Sequence, residues 1–596
     1  MMKKTVIISF LTALSVFVSA QTDIGVDYFM LGEYDSAKRY LEKQVAQSPV
    51  QAYFYLGQIA YIQGNMDEAK AYYQKGLAEN PNDFYNQIGE IKLLLKSDKK
   101  TADTMFKALQ KKSKNDAAVT LAIGRAYFDA GMIADARIKL NEAHKKNKRL
   151  PQIYIFEGDI IKAESGTEKL GENLGTIAGK YEMSLLFDDN YRLGYIKYAQ
   201  AYLLFNPTAA IEKLKELINR QPDYLLGYRL LGQASTQVGL YGQAIKSYET
   251  YLAAGEYVFE DLERYARVLY FSNLIEDAQK IVTDGLAISP DAFVMNRFQM
   301  YIYEKTENYV DGLVQAEKFF NLREDKSTYL ALDYATYAKI LRGAKMYDQA
   351  IAAYEQAFQL EQKGEYYLDI VELGREQRNF AISAEYYEKY MALRGENVTS
   401  TDYNQLGFYY YSTGTTSARN ETLMQELAQD ANVLKKLASN TQELEALKTN
   451  SELFTKTYAG YYLAKADSVF NILVDLVPDG YSSHRWKALT QHAINPDAKI
   501  GTARPHYEKV VEILTAQEEE LSQTLKNVLV EAYSYLSYHH YLTDEISKAT
   551  FYCNETLKID PANKTATAIL DGIKQHQQQM REYERQQAEA AAAAKR

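Results

Sequence analysis

Along most of this chain, apolar residues fall three and four positions apart in stretches of about a dozen, each closed by a short polar turn. That spacing gathers side chains on one face of a helix, so the pattern predicts amphipathic helices nearly throughout. The stretches come in pairs, and the pairs recur about every 34 residues. Tyr53-Phe54-Tyr55-Leu56-Gly57, Ala69, Tyr73 and Pro81 set the pattern, and Leu231-Gly232, Ala244 and Tyr248 repeat its first half. Its second half returns as Ala210, Leu214 and Pro222, as Ala278, Gly285 and Pro290, as Ala466, Phe470 and Pro478, and as Ala549, Cys553 and Pro561. A period of about 20–50 residues marks stacked supersecondary units.

Within the second unit, the pattern predicts a first helix near Ala52–Gln63, a turn at Gly64-Asn65-Met66 and a second helix near Asp67–Glu79. A glycine inside a helix costs about 1 kcal/mol against alanine, so the recurring Gly57 needs a packing reason. Gly57 and Ala69 supply one if the two helices touch there, because small residues let the axes approach to the near end of about 8–10 Å. Tyr53, Leu56 and Tyr73 then fill the space around that contact. Of the ten prolines, Pro49, Pro81, Pro151, Pro222, Pro290, Pro478 and Pro561 each follow an expected second helix, which a proline cannot continue.

The combination of aromatic, Leu-Gly, Tyr, Ala, Phe or Tyr, Ala and Pro resembles the tetratricopeptide repeat (TPR) family. Aligned on it, about fourteen units fit between Gln21 and about Thr567. Gln51–Asn82, Asn115–Pro151, Leu225–Glu256 and Leu529–Asn563 match well. Asp83–Ser113 matches less well, with Thr101 standing for the expected alanine, and so does Phe293–Leu322, with Gly312 there. The resemblance implies an all-α, right-handed solenoid of about fourteen helix pairs whose concave face binds a protein or peptide partner. Family members make groove contacts one and four residues after the repeat glycine. Carried over, these positions are Gln58 and Tyr61, Arg125 and Phe128, Gln233 and Thr236, Arg267 and Tyr270. The lysine–asparagine clamp that some members close on C-terminal carboxylates is absent from them.

The N-terminus stands outside the array. Lys3-Lys4, an apolar run of about 13 residues from Val6 to Val18, then Ser19-Ala20 before Gln21 read as a cleaved secretory signal over 1–20. The run is short of the roughly 20 residues that span a bilayer, and no lipid-attachment cysteine follows it. The expected product is soluble and periplasmic, with no transmembrane segment in the mature chain and a possible association with cell-envelope complexes. The sole cysteine, Cys553, cannot form an intrachain disulfide and falls at the packing position of Tyr73 and Tyr248. Net charge is −10 from 68 basic and 78 acidic residues, and becomes −12 once Lys3 and Lys4 are removed. An acidic chain without a basic stripe argues against nucleic acid as partner. The 52 tyrosines fall mostly at packing positions, so their number alone does not imply a sugar platform.

Three breaks divide the array. Gly166–Gly175 reads as a lengthened turn. The stretch 414–457 separates a first helix near Asp402–Thr413 from its partner at Tyr461–Val477, dividing the array into 21–413 and 458–572. Inside it, Leu423, Leu427, Leu434, Leu437 and Leu444 lie near a 3.5-residue spacing, which predicts a projecting helical insertion with an apolar seam. Asn440 and Glu443 make a capping box there. The insertion either docks a partner or packs on the solenoid. A loop runs from Asn495 to Pro505, and 573–596 reads as a Gln- and Ala-rich tail that frays after a capping helix.

Nothing in the pattern calls for catalysis. The histidines, His144, His484, His492, His506, His539, His540 and His576, form no HExxH, and His539 and His540 point about 100° apart on a helix. Neither a P-loop, a GxSxG nor an EF-hand pattern occurs, so no cofactor, metal or catalytic residue is expected. The sequence reads as a periplasmic scaffold or adaptor; the alternative is a glycan-binding component of an outer-membrane uptake system.

Overall fold

The computed structural model describes residues 24–594 except 204 and 256, so the expected signal segment 1–20 lies outside the described residues. Every regular element described is helical, and the fold is an all-α solenoid. The chain divides into two compact units, 1–305 and 306–596.

In the first unit the helices run α1 (Ile24–Leu31), α2 (Tyr34–Gln44), α3 (Pro49–Ile62), α4 (Met66–Glu79), α5 (Phe84–Lys92), α6 (Lys99–Lys112), α7 (Ala117–Asp129) and α8 (Ile133–Lys146). They continue as α9 (Pro151–Ser165), α10 (Leu170–Leu185), α11 (Arg192–Tyr202), α12 (Pro207–Arg220), α13 (Leu225–Gln237), α14 (Tyr241–Leu252), α15 (Phe259–Phe271), α16 (Ile275–Ile288) and α17 (Phe293–Lys305). The second unit holds α18 (Tyr309–Asn321), α19 (Ala331–Gly343), α20 (Tyr347–Leu360), α21 (Glu365–Glu376), α22 (Phe380–Arg394), α23 (Ser400–Thr416), α24 (Glu421–Leu427) and α25 (Ala431–Leu437). It ends with α26 (Thr441–Thr449), α27 (Ser451–Leu476), α28 (Tyr481–Ile494), α29 (Arg504–Thr515), α30 (Gln523–Leu542), α31 (Ile546–Ile559) and α32 (Lys564–Ala594).

The repeat positions do what their sizes dictate. Tyr73 is fully buried, wedged between two glycines of successive first helices: a Cβ on Gly57 would come within 2.3 Å of its ring, and one on Gly89 within 2.4 Å. Gly158 against Tyr181, Gly232 against Tyr248 and Gly407 against Phe470 repeat the contact at 2.5, 2.9 and 2.4 Å. Ala69, Ala210, Ala244, Ala278, Ala466 and Ala549 are all 0% exposed, which is what a small residue at the closest approach of two helices requires. Cys553 is likewise buried, in a cluster with Ala549, Ala566 and Ile569. Turns between paired helices carry a residue in the left-handed region, such as Gly64 (φ 84°) and Lys345 (φ 62°). The next N–H then reaches back to a carbonyl of the last helical turn, Asn65 to Ala60 and Met346 to Leu341, each 2.8 Å. Orphan carbonyls at the helix end are satisfied this way.

The structure departs from the sequence reading at four places. In the third pair, Ala102 rather than Thr101 is the buried small residue, and Thr101 is exposed in the first turn of α6, donating to Asp98. Gly171 and Gly175 lie inside α10, whose stripe of Leu174, Ile177, Ala178 and Tyr181 is buried despite them, so the turn is confined to 166–169. Pro49 and Pro151 follow second helices as expected, and each also sits in the first turn of the next helix, where a missing N–H costs nothing. The insertion does not project. Asp430 and Asn440 cap new helices and break the seam into three short pieces, whose Met424, Leu434 and Leu447 pack against Phe454 and Tyr458 of α27. Consequently α27 starts at Ser451, ten residues before the expected Tyr461. Finally, α32 continues to Ala594, with residues 574–593 all exposed. Helix-favouring Gln and Ala and the Glu582–Arg585–Glu589 charge ladder sustain it without a packing partner.

Candidate functional site

Inside the first unit, helices α3, α7, α9 and α11 turn a common face inward, and α1 lies across their end. They surround a chamber of about 1860 Å³. Its wall mixes aromatic rings (Phe54, Tyr55, Tyr85, Phe128, Phe156, Tyr191) with side-chain amides (Gln51, Gln58, Gln152, Gln200).

A ladder of charges crosses the wall, one or two rungs from each first helix. Lys92 of α5 has a side chain only 1% exposed. It donates to Gln58 Oε1 and, at 2.9 Å, to Asp129 Oδ2, with the ammonium 3.9 Å from the centroid of the Tyr61 ring. Burial lowers the Lys92 pKa, and Asp129 opposes that shift. Arg125 donates from Nη1 to Asp159 Oδ2 at 2.8 Å. Its guanidinium lies 4.3 Å from the Phe156 centroid and 5.5 Å from that of Phe128. The other oxygen of Asp159 accepts from the Tyr181 hydroxyl at 2.9 Å and from Lys197 at 3.4 Å. Burial would raise the Asp159 pKa, but Arg125 and Lys197 hold it below the ordinary carboxylate range.

The chamber exists because the chain returns on itself. Arg229 of α13, with no side-chain exposure, grips Glu33 with both terminal nitrogens at 3.0 and 2.5 Å, and Asp261 lies 3.3 Å away. Asp261, also fully buried, accepts from the Tyr251 hydroxyl at 2.6 Å, while the Tyr28 and Tyr251 hydroxyls are 3.0 Å apart. Since the Tyr251 proton points to Asp261, Tyr28 donates to Tyr251. Arg39 to Glu260 at 3.5 Å and Arg192 to Asp27 at 3.9 Å flank this clasp. Beneath it, Tyr28, Leu41 and Leu56 share one apolar core with Tyr195, Ile211, Leu226 and Val258.

Of the eight groove positions expected from the repeat, Gln58, Arg125 and Phe128 line the chamber. The rest do not join them. Tyr61 is 7% exposed and forms the floor under Lys92. Thr236 bonds its own helix through Gly232 O at 2.7 Å, and Tyr270 packs on Phe298 and Tyr301. Gln233 and Arg267 are exposed outside the chamber lining. The cause is closure: the first pair, α1 and α2, meets α13 and α15 where an open superhelix would leave a groove. Lys92, Asp159, Lys197, Arg229 and Glu33 escaped the sequence reading. A signal existed in the charges embedded in apolar runs, Ile91-Lys92-Leu93 and Tyr228-Arg229-Leu230.

Residues 22–84 match the family model described as tetratricopeptide repeat. The TPR repeat-containing protein YpiA of Bacillus subtilis is 23% identical over 257 residues, covering 41% of this chain and 56% of that protein, so the match spans about half of the relative's length. Among solved structures, the C-terminal part of a TPR repeat-containing protein from Cytophaga hutchinsonii is 22% identical, covering 52% of this chain and 99% of that one with a TM-score of 0.34. A tetratricopeptide repeat protein from Parabacteroides merdae is 16% identical, covering 41% and 93%, with a TM-score of 0.32.

Proposed function

Because this chain is a tetratricopeptide-repeat protein, we propose that it is a non-catalytic interaction scaffold whose binding site is the chamber of the first unit. The chamber's size carries the reading. Small-molecule pockets measure about 300–1,000 Å³, and this space is about 1860 Å³. A helix about 10–12 Å wide that rises 1.5 Å per residue fills about 120–170 Å³ per residue, so the chamber accommodates about a dozen residues of a partner. Aromatic faces for apolar side chains and amides for backbone groups suit a peptide of mixed character.

The remainder of the reading concerns place. The segment 1–20 has the composition of a secretory signal, and no helix among the described residues is long and apolar enough to cross a membrane. These features support a protein exported to the periplasm and acting there on a cell-envelope partner. N-terminal sequencing of the mature protein checks this: Gln21 is expected, and an intact Met1 would refute it.

Site-specific photocrosslinking tests the chamber. A photoreactive phenylalanine analogue at Phe128, inside, is expected to trap a polypeptide partner, whereas one at Val314, 67% exposed on α18, is expected not to. Equal trapping at both positions, or trapping at Val314 alone, would remove the chamber as the binding site.

A further inference from the structure

The chamber's charges are not balanced locally. Lys92 and Asp129 form one pair. Arg125 and Lys197 share the single carboxylate of Asp159, at 2.8 and 3.4 Å. Lys162, exposed on the same wall one helical turn beyond Asp159, makes no ion pair among the described residues. Arg125, Lys162 and Lys197 therefore gather around one directly paired carboxylate, Asp159, with Asp129 acting on Arg125 from farther off. Burial above all lowers the Lys197 pKa; Asp159 opposes that shift, and the neighbouring cations Arg125 and Lys162 add to it. A second anion placed here would relieve a repulsion that the folded chain now carries alone.

We infer that Arg125, Lys162 and Lys197 form a subsite for an acidic side chain of the bound peptide, flanked by Phe128 and Phe156 for an apolar neighbour. This rests on the reading of the chamber as a peptide site. The Arg125 guanidinium lies over the Phe156 ring and is bonded to Asp159, so its position is fixed before a ligand arrives, which lowers the cost of binding. A carboxylate fits better than a nucleic acid. A phosphate backbone needs a track of cations, whereas the complete chamber lining carries four basic residues against five aspartates, among them Asp27, Asp83 and Asp188. The site matches one or two negative charges and repels a polyanion.

Selection from a random dodecamer peptide display library on the full chain tests this, with a single-stranded RNA dodecamer as the competing probe. Enriched peptides are expected to carry Asp or Glu beside an aliphatic or aromatic residue. Binding of such a peptide is expected to fall about tenfold on Lys162→Glu and on replacing its acidic residue by the amide. Changing that residue to Lys is expected to recover binding to the Lys162→Glu variant. Lys162 is exposed, so its substitution leaves folding intact. Enriched peptides without acidic bias that still lose affinity on Phe128→Ala would overturn the acidic subsite and leave the chamber reading standing. Failure to enrich any peptide, or binding of the RNA that depends on Lys162, would overturn both.

Discussion

The two units are assembled from the same helix pair but held together differently. In the second unit, ion pairs and hydrogen bonds join neighbours, such as Arg342 with Glu376 and Arg485 with Glu531, and the longest reach, Lys465 to Glu388, merely spans the insertion. In the first unit, Tyr28 meets Tyr251 and Glu33 meets Arg229 across about 200 residues of sequence. Solenoid stability is a sum of neighbour terms, and the second unit follows that rule. The first adds a closing contact with no neighbour in sequence, and a chamber is its product.

Breaking the clasp gives the largest expected effect. Arg229→Ala removes the buried cation shared by Glu33 and Asp261 and leaves Asp261 to Arg264 and Tyr251, a change worth about 3 kcal/mol. Hydrogen exchange in α1 and α2 is expected to rise steeply while α19 to α22 stay protected. Unchanged protection at Tyr28–Leu41 would show that the apolar core alone holds the closure. The repeat contact, by contrast, belongs to both units. Gly57→Leu and Gly407→Leu each force a side chain against a buried ring, at about 1–3 kcal/mol, read by chemical denaturation with a local probe because arrays unfold in parts. Markedly unequal costs would mean that closure stiffens the first unit's pairs as well.

Acidification separates the units again. His484 Nε2 lies 2.8 Å from the Pro478 carbonyl, so that nitrogen carries the proton, its Nδ1 accepts, and His506 Nδ1 donates across 3.2 Å. Burial above all, then His484 and Lys487, push the His506 pKa down to about 4. A histidine whose folded pKa lies below its unfolded value leaves stability intact above about 6.5 and removes it as pH falls toward 4. The second unit is expected to lose on the order of 1–3 kcal/mol over that window; His506→Gln is expected to remove its share and leave that of His540, whose pKa burial also lowers. The smallest effect concerns the turns. In the left-handed region the first unit uses Gly32, Gly64, Gly131 and Gly239 beside Lys114, Asn115 and Asn273, where the second uses Glu307, Lys345, Arg378 and Asp544. Lys345→Gly is expected to gain about 1 kcal/mol, and a loss would mean that the lysine side chain contributes a compensating contact.

These contrasts explain how much was legible. Helix pairing was, because Gly57, Ala69 and Tyr73 act on adjacent helices and recur with the period. Thr101 was misread since the degenerate third pair offers two small candidates, and only packing selects Ala102. Three of eight groove positions reached the chamber because the repeat fixes which helix face turns inward but not how far the array winds before it meets its own start. Arg229 and Glu33 decide that, and each occurs once. The leucine spacing in the insertion was real, yet Asp430 and Asn440 outcompeted it by capping separate helices. Asn440 accepts from Glu443 N–H at 2.9 Å, whereas the Glu443 carboxylate takes the Ser439 N–H at 2.7 Å, one residue off the expected box.

Closure also sets an order of events during synthesis. The first helix pair leaves the ribosome with Tyr28 and Glu33 unmatched, and their partners Arg229, Tyr251 and Asp261 follow roughly 200 residues later. At about 5–20 residues per second, that interval lasts on the order of 10–50 s. During it the aromatic wall, Phe54 and Tyr55 first and Phe128 about 70 residues later, stands open to water. The face that comes to line the chamber is thus the part most in need of a temporary companion while it is being made.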